Sequence, residues 1–467
     1  MTAPFEIRGF NMCESLLRHT PEQLARFLDR MGELKFNTLI VQYDYGFRHY
    51  QQLIKEKCQQ HNIDVTLMVF GPRTFFKLSG CDSKHFALDD DGKPYTPAPE
   101  CETWPCFSSH EALEHFTAGA EIFLREQTPG WIKRIHMRSG DGTMTCRCAK
   151  CRNLMPSVGW HPFIKAFAAK LHELRSDLEA ESDIYIGRYD LSVPAQEYES
   201  IDCVMYDTFG HHPRIALGDN PNHKSNWIPV NGRDTDEFNC NSLYHFDRLS
   251  KWAKRLPGKI YIHDNTMMQA LIGMFHHNTP SMLKDLELYR RLGLRGVLFE
   301  AYEPGYHNFA RHFEVLSKAM LDPEYGRNYR PDGVEKMFAN LDLDYSHIDK
   351  RTSEELINIL PPQEQEFIRI CDAGMTAPTP DSYRKFIDYI IDHADTVDVC
   401  YMGMLAAKHG IRVSGTLDFS QAAPESRKML SYRKLWDYME ELPDHSRARE
   451  DVIEILKDLR NNVRSTV

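Results

Sequence analysis

Ile132–Arg152 reads IKRIHMRSGDGTMTCRCAKCR, and the fold hangs on how this stretch is taken. Ile132, Ile135 and Met137 carry the apolar spacing of a short buried β-strand, which then runs into Ser-Gly-Asp-Gly. Gly140 and Gly142 lift the Asp141 carboxylate out at the C-terminal end of that strand. In a parallel α/β barrel this end is the chemically active face, so Asp141 is the first candidate catalytic residue. An Asx turn that merely caps the strand is the structural alternative.

Working outward, the same unit recurs along the chain: a β-rich run, a polar loop, then a helical pattern. Strands are expected at Phe5–Met12, Thr38–Tyr43, Val65–Phe70, from Ile132, and at Ile184–Ile186, Cys203–Tyr206, Lys259–Ile262 and Gly296–Phe299. Helices alternate with them. The first follows Thr20, an N-cap, with Pro21 at the first helical position and Gln23 completing a capping box. RHYQQLIKEKCQQH reads as the second, and Ser108-Ser109 caps HEALEHFTAGAEIFLREQ. The helix after the focal strand is expected at His161–Leu178, then LYHFDRLSKWAKRL and MLKDLELYRRLG. The connection opened by Gly71-Pro72-Arg73 and the loop Asp207–Cys240 are long for a compact fold, a length that goes with function. Eight strands alternating with helices, and no Gly-rich phosphate turn after the first, specify a (β/α)8 barrel over residues 1–321 rather than a doubly wound sheet. From Asp322 strand signals thin out, and Ser353–Ile359, Gln363–Asp372, Ser382–Ala406 and Ser426–Arg460 read as a C-terminal helical domain, residues 322–467.

Composition narrows the partners. With 467 residues, 11% aromatic and 26% charged, the chain has what a large core needs and no low-complexity tract. A net charge of -11 without a Lys/Arg run speaks against nucleic acid. The N-terminus lacks a secretory layout and no apolar run approaches a membrane span. Twelve cysteines without a signal peptide fit free thiols or metal ligands in a reducing cytoplasm. The expectation is a cytoplasmic protein with neither a nucleic-acid nor a membrane partner; the sequence leaves the oligomeric state open, a homodimer included.

The strand ends hold the candidate site. They bring up Arg8 and Asn11, Asp44, Arg73, Asp141, Asp207, His263-Asp264-Asn265, and Glu300 with Tyr302 and Glu303. Converging carboxylates at a barrel mouth are costly unless paired or used, and a pair of them is the equipment of glycoside hydrolysis: one donates a proton, the other attacks or activates water. Asp141 and Glu300 are the leading pair, with Asp207 and Asp264 in reserve. Arg8, Asn11, Asp44, Arg73, His263 and Asn265 are candidates to bind substrate hydroxyls, and Trp104, Tyr206, Trp227 and Tyr302 to stack on sugar rings. No cofactor is required by this chemistry. A metal-dependent sugar isomerase or lyase using His263, Asp264, Glu300 and His307, and a non-catalytic carbohydrate-binding barrel, are the alternatives.

Trp104-Pro105-Cys106, Asp141-Gly142 and Cys146-x-Cys148-x-x-Cys151 form a block that resembles a largely uncharacterised bacterial family with a glycosidase-like barrel. RGFNM and SGDG are also similar to strands one and four of the β-N-acetylhexosaminidases, and the block is distantly similar to α-glucuronidases. The hexosaminidase resemblance implies an Asp-Glu pair at strand four. Gly142 stands where the Glu would be, so only Asp141 carries over. Cys106, Cys146, Cys148 and Cys151 are either a structural Zn2+ site tying the strand-three loop to the strand-four loop or unligated thiols.

Overall fold

The computed structural model describes residues 4–12, 16, 19–94, 104–138, 146–154, 156–185, 198–208, 216–217, 242–264, 279–300, 313–330, 379–392, 417–428 and 446–465. Eight parallel strands close into a barrel in chain order: β1 (Ile7–Met12), β2 (Thr38–Gln42), β3 (Asp64–Phe70), β4 (Arg134–Arg138), β5 (Glu179–Ile184), β6 (Cys203–Asp207), β7 (Ile260–Asp264) and β8 (Gly296–Glu300). The ring is shut by β1 against β8, where Ile7 pairs Gly296 and Asn11 pairs Glu300. Between the strands lie α1 (Pro21–Glu33), α2 (Arg48–His61), α3 (Gly71–Ser79), α4 (His110–Ile122), α5 (Pro156–Leu174), α6 (Ser242–Arg255) and α7 (Thr279–Arg291). A (β/α)8 barrel is therefore the architecture.

The helices start where local chemistry starts them. Thr20 accepts from the Gln23 amide and Gln23 answers to the Thr20 amide, closing the capping box of α1. Ser109 caps α4, which widens into a π-helical turn at Phe123–Gln127. The connection after β3 begins not as a loop but as α3, which starts at Gly71 directly on the strand. It packs closely on α4: a Cβ on Gly119 would stand 1.9 Å from the Phe75 carbonyl oxygen.

Strand alternation sorts the barrel into two cores. Ile7, Ile40, Met68, Cys203, Met205, Tyr261 and Leu298 form an inner cluster along the axis. Their neighbours in sequence, such as Leu39, Leu67, Val204, Ile262 and Phe299, belong to the larger cluster packed beneath the helices.

Strand five corrects the sequence expectation of Ile184–Ile186. It is Glu179–Ile184, EAESDI, a run too acidic to look like a buried strand. Its outward face is Ala180, Ser182 and Ile184, and its inward face is Glu179, Glu181 and Asp183. The acids are tolerated because β4 presents Arg134, His136 and Arg138 in matching register: Arg134 pairs Glu179 and His136 pairs Glu181. α5 likewise begins at Pro156, earlier than expected, and carries Pro162 inside it.

Beyond the barrel, helices span 313–321, Pro323–Asn328, Pro380–Asp392, Pro424–Lys428 and Ser446–Asn462, with Leu417–Asp418 antiparallel to Arg464–Ser465. The expected helices Ser353–Ile359 and Gln363–Asp372 lie outside the described residues. Among the described residues no helix is long and apolar enough to cross a membrane.

Candidate active site and thiol cluster

The top inward layer of the barrel, at the C-terminal strand ends, is polar on every strand but β3, whose inward residue there is Phe70. Alternation aims Asn11, Gln42, Arg138, Asp183, Asp207, His263 and Glu300 to the axis, and all are buried. In an ordinary barrel such layers are filled by branched aliphatic side chains. Four adjacent strands supply one connected arc. His263 Nδ1 lies 2.9 Å from Asp207 Oδ2, and His263 Nε2 lies 3.0 Å from Asn11 Nδ2. With the Asn11 amide donating to Nε2, the imidazole carries its proton on Nδ1 and donates it to Asp207. Asn11 in turn stands beside Glu300 in the β1–β8 register.

On the opposite strands the ladder continues upward. His136 Nδ1 is 2.7 Å from Glu181 Oε1, and its Nε2 is 3.9 Å from Asp183. Burial works against a charged His136, but Asp183 and Glu181 outweigh it and raise its pKa above the ordinary imidazole value. Glu181 also accepts from the Tyr261 hydroxyl of β7, two strands along. Arg138 tops the ladder, 3.9 Å from Asp183, with its guanidinium 4.5 Å from the centre of the Tyr185 ring and 5.8 Å from that of Phe70. It is a cation held on aromatic faces at the mouth.

The residues expected from the sequence divide accordingly. Asn11, Asp207, His263 and Glu300 are brought together. Asp264 follows His263 and so faces the other way, beneath the helices. Its charge and that of Asp285, after burial, push the Tyr289 phenol of α7 well above its ordinary pKa. Tyr206 also faces outward, its hydroxyl 3.1 Å from His245 Nδ1 of α6, so its ring is core rather than sugar platform. Arg8 sits near the N-terminal end of β1 with its guanidinium on the carbonyls of Phe5 and Lys35, away from the mouth. Trp104 is enclosed against Trp160 of α5, centroids 5.9 Å apart. Arg73 is half-buried in the first turn of α3. Asp141, Trp227, Asn265 and Tyr302, and the side chain of Asp44, lie outside the described residues.

The sequence reading passed over Arg138, Asp183, His136 and Glu181. Their signal was present as two strictly alternating stretches, RIHMR and EAESDI, the one basic and the other acidic at every second residue.

The four cysteines do converge. Cys106, Cys146, Cys148 and Cys151 place their sulfurs all within 4.8 Å of one another. Hydrogen bonding from the Cys146 thiol, against burial and with help from Ser108, draws Cys106 far below the ordinary thiol pKa; the same bond drives Cys146 up. Such a cluster has the donor set to hold a metal.

No family model and no curated protein matches this sequence. Among solved structures the chain is similar to the endo-β-1,4-mannanase of Thermotoga petrophila, with a TM-score of 0.41 and 10% identity over 71% of this chain and 79% of that one. It is also similar to an O-GlcNAc hydrolase mutant of Thermobaculum terrenum, TM-score 0.37 and 11% identity over 98% and 94%. A β-N-acetylhexosaminidase gives 0.40 and 14% over 74% and 80%. These likenesses are of fold.

Proposed function

We propose that the chain is a glycoside hydrolase acting on a small oligosaccharide or glycoside in the cytoplasm. One observation carries the proposal: the top inward layer holds Arg138, Asp183, Asp207, His263 and Glu300 where packing alone would favour Val, Ile or Leu. Desolvated ionisable groups weaken a fold unless they are used, and their concentration at the C-terminal strand ends is what acid–base chemistry requires.

In this reading Glu300 is one member of the carboxylate pair, held on the rigid end of β8. Asp141, three residues beyond the end of β4, is the other. One protonates the departing glycosidic oxygen while the other, ionised, attacks the anomeric carbon or activates water. Asp207 orients His263, and His263 with Asn11 offers hydrogen bonds to sugar hydroxyls. Asp183 is a further carboxylate of the same layer, balanced by Arg138. A separation of about 5 Å between the working carboxyl groups gives retention, and about 6.5–9.5 Å gives inversion.

The metal-dependent isomerase reading loses support from alternation, since His263 and Asp264 face opposite sides of β7 and cannot join one inward ligand set. A panel of aryl glycosides and short oligosaccharides tests the proposal. Hydrolysis of one of them, lost in Glu300→Gln, supports it. Binding of sugars with no turnover by the wild type on any of them sinks it in favour of a carbohydrate-binding barrel.

A further inference from the structure

We propose that Cys106, Cys146, Cys148 and Cys151 hold one structural Zn2+ that fastens the connection after β3 to the connection after β4. The proposal stands apart from the glycosidase reading and does not rest on it.

The sulfur geometry is that of a mononuclear site. Cys106 Sγ lies 3.6 Å from Cys146 Sγ and 3.9 Å from both Cys148 Sγ and Cys151 Sγ. A tetrahedral ion with Zn–S near 2.3 Å places its sulfurs about 3.8 Å apart. A disulfide needs about 2.05 Å between sulfurs, far shorter than these contacts. In an iron–sulfur cubane each thiolate binds a different iron, which would spread the four sulfurs well beyond such contact distances. The set is closed, with four protein ligands and no position for substrate, so its role is structural rather than catalytic.

A second observation points to thiolates rather than four packed thiols. Backbone amides are aimed at the sulfurs. The Leu88 and Cys148 N–H groups donate to Cys146 Sγ at 3.3 and 3.5 Å. The Ser108 hydroxyl adds contacts of 3.4 Å to Cys106 and 3.6 Å to Cys148. Neutral thiols need no such shell, whereas metal-bound thiolates are commonly steadied by one. Four thiolates on a divalent ion leave a charge of -2. The Cys146–Arg152 stretch, CRCAKCR, interleaves Arg147, Lys150 and Arg152 with three of the ligands.

The scaffold is prepared in the same way. Segment 85–88 is flanked by two others. Ala87 N–H bonds to Trp104 O and Cys106 N–H to His85 O on one side, and Arg147 N–H bonds to Leu88 O on the other. Ala87, Trp104, Cys146 and Cys151 form a small core separate from that of the barrel. So small a core supplies little burial energy, and a metal supplies the rest. The metal binds as each thiol gives up its proton to solvent, with no redox step.

The full-length protein, expressed with zinc in the medium and dialysed against metal-free buffer, is to be analysed for metals and thiols. The expected result is a single zinc per chain. Four thiols should react only as that zinc is released to a chelating dye, and the Co2+-substituted protein should show the intense visible bands of a tetrahedral thiolate site. Ser108→Ala, an exposed change that leaves all four ligands, should weaken zinc affinity by about 10–100-fold. Cys148→Ser should lose the metal, while Cys58→Ser, a buried thiol of α2, should keep it. Iron in place of zinc overturns the assignment of the metal. Protein without metal, carrying four thiols that react freely while its thermal transition is unmoved, overturns the site, whether or not Cys148→Ser folds.

Discussion

Glu181→Gln is the sharpest test of the charge ladder inside the barrel. Glu181 is fully buried, accepts from His136 Nδ1 at 2.7 Å and from the Tyr261 hydroxyl, and helps hold Arg134 protonated. Gln preserves shape and removes the charge. Each hydrogen bond to a buried ion contributes about 1.5–3 kcal/mol, so two account for about 3–6 kcal/mol, which overlaps the range of about 3–5 kcal/mol for breaking a buried pair from one side. That is a large share of the 5–15 kcal/mol or so that holds a typical domain folded. The assay is urea unfolding followed by circular dichroism, comparing midpoints at a common m-value from pH 5.5 to 9. The sign of the pH dependence follows from His136. Its folded pKa is raised above the unfolded value of about 6.5, so its stabilisation is complete below that value and is lost as pH climbs through the folded pKa. The variant's deficit should therefore be greatest near pH 6 and should narrow in alkaline solution. A deficit under about 1 kcal/mol at pH 6, or one that widens with pH, refutes the reasoning.

Glu300→Gln and Asp141→Asn should each lower kcat on the true substrate by about 10²–10⁴-fold while the melting temperature stays near that of the wild type; normal turnover by either removes it from the chemistry. Asp207→Asn should cost less in kcat than these two, since Asp207 acts through His263, and kinetics on purified folded protein decides the ranking. Asp264→Asn, facing the helices, should change the unfolding midpoint and leave kcat per folded molecule alone; a kcat loss to match Glu300→Gln would place it in the site after all. Thr20→Ala opens the capping box of α1 and should cost about 0.5–2 kcal/mol in the same urea assay, with activity unchanged.

What the sequence determined by itself was periodic and local. Alternating strand and helix patterns, the Thr20 and Ser109 caps, and the absence of a phosphate turn were enough for the barrel, because each depends on residues within one or two turns of chain. The acids that end β6 and β8 could be found for the same reason: they directly follow apolar runs. Tertiary structure alone decided which of them share a space. Asp207, His263, Asn11 and Glu300 meet because strand register and barrel closure bring four distant segments side by side, while Asp264 and Tyr206, one residue away from inward positions, are turned to the helices by the two-residue period of the strand. EAESDI has an acid at every second position, a composition of surface rather than of a buried strand. Its carboxylates are tolerable inside only because Arg134, His136 and Arg138 neutralise them across the ladder, a balance that exists between strands and in neither strand alone. Cys106 and the C-x-C-x-x-C group suggested a site through residue type, but their meeting depended on three loop segments pairing. Backbone hydrogen bonds between Ala87 and Trp104, and between Arg147 and Leu88, set that pairing, and nothing in the spacing of cysteines encodes it.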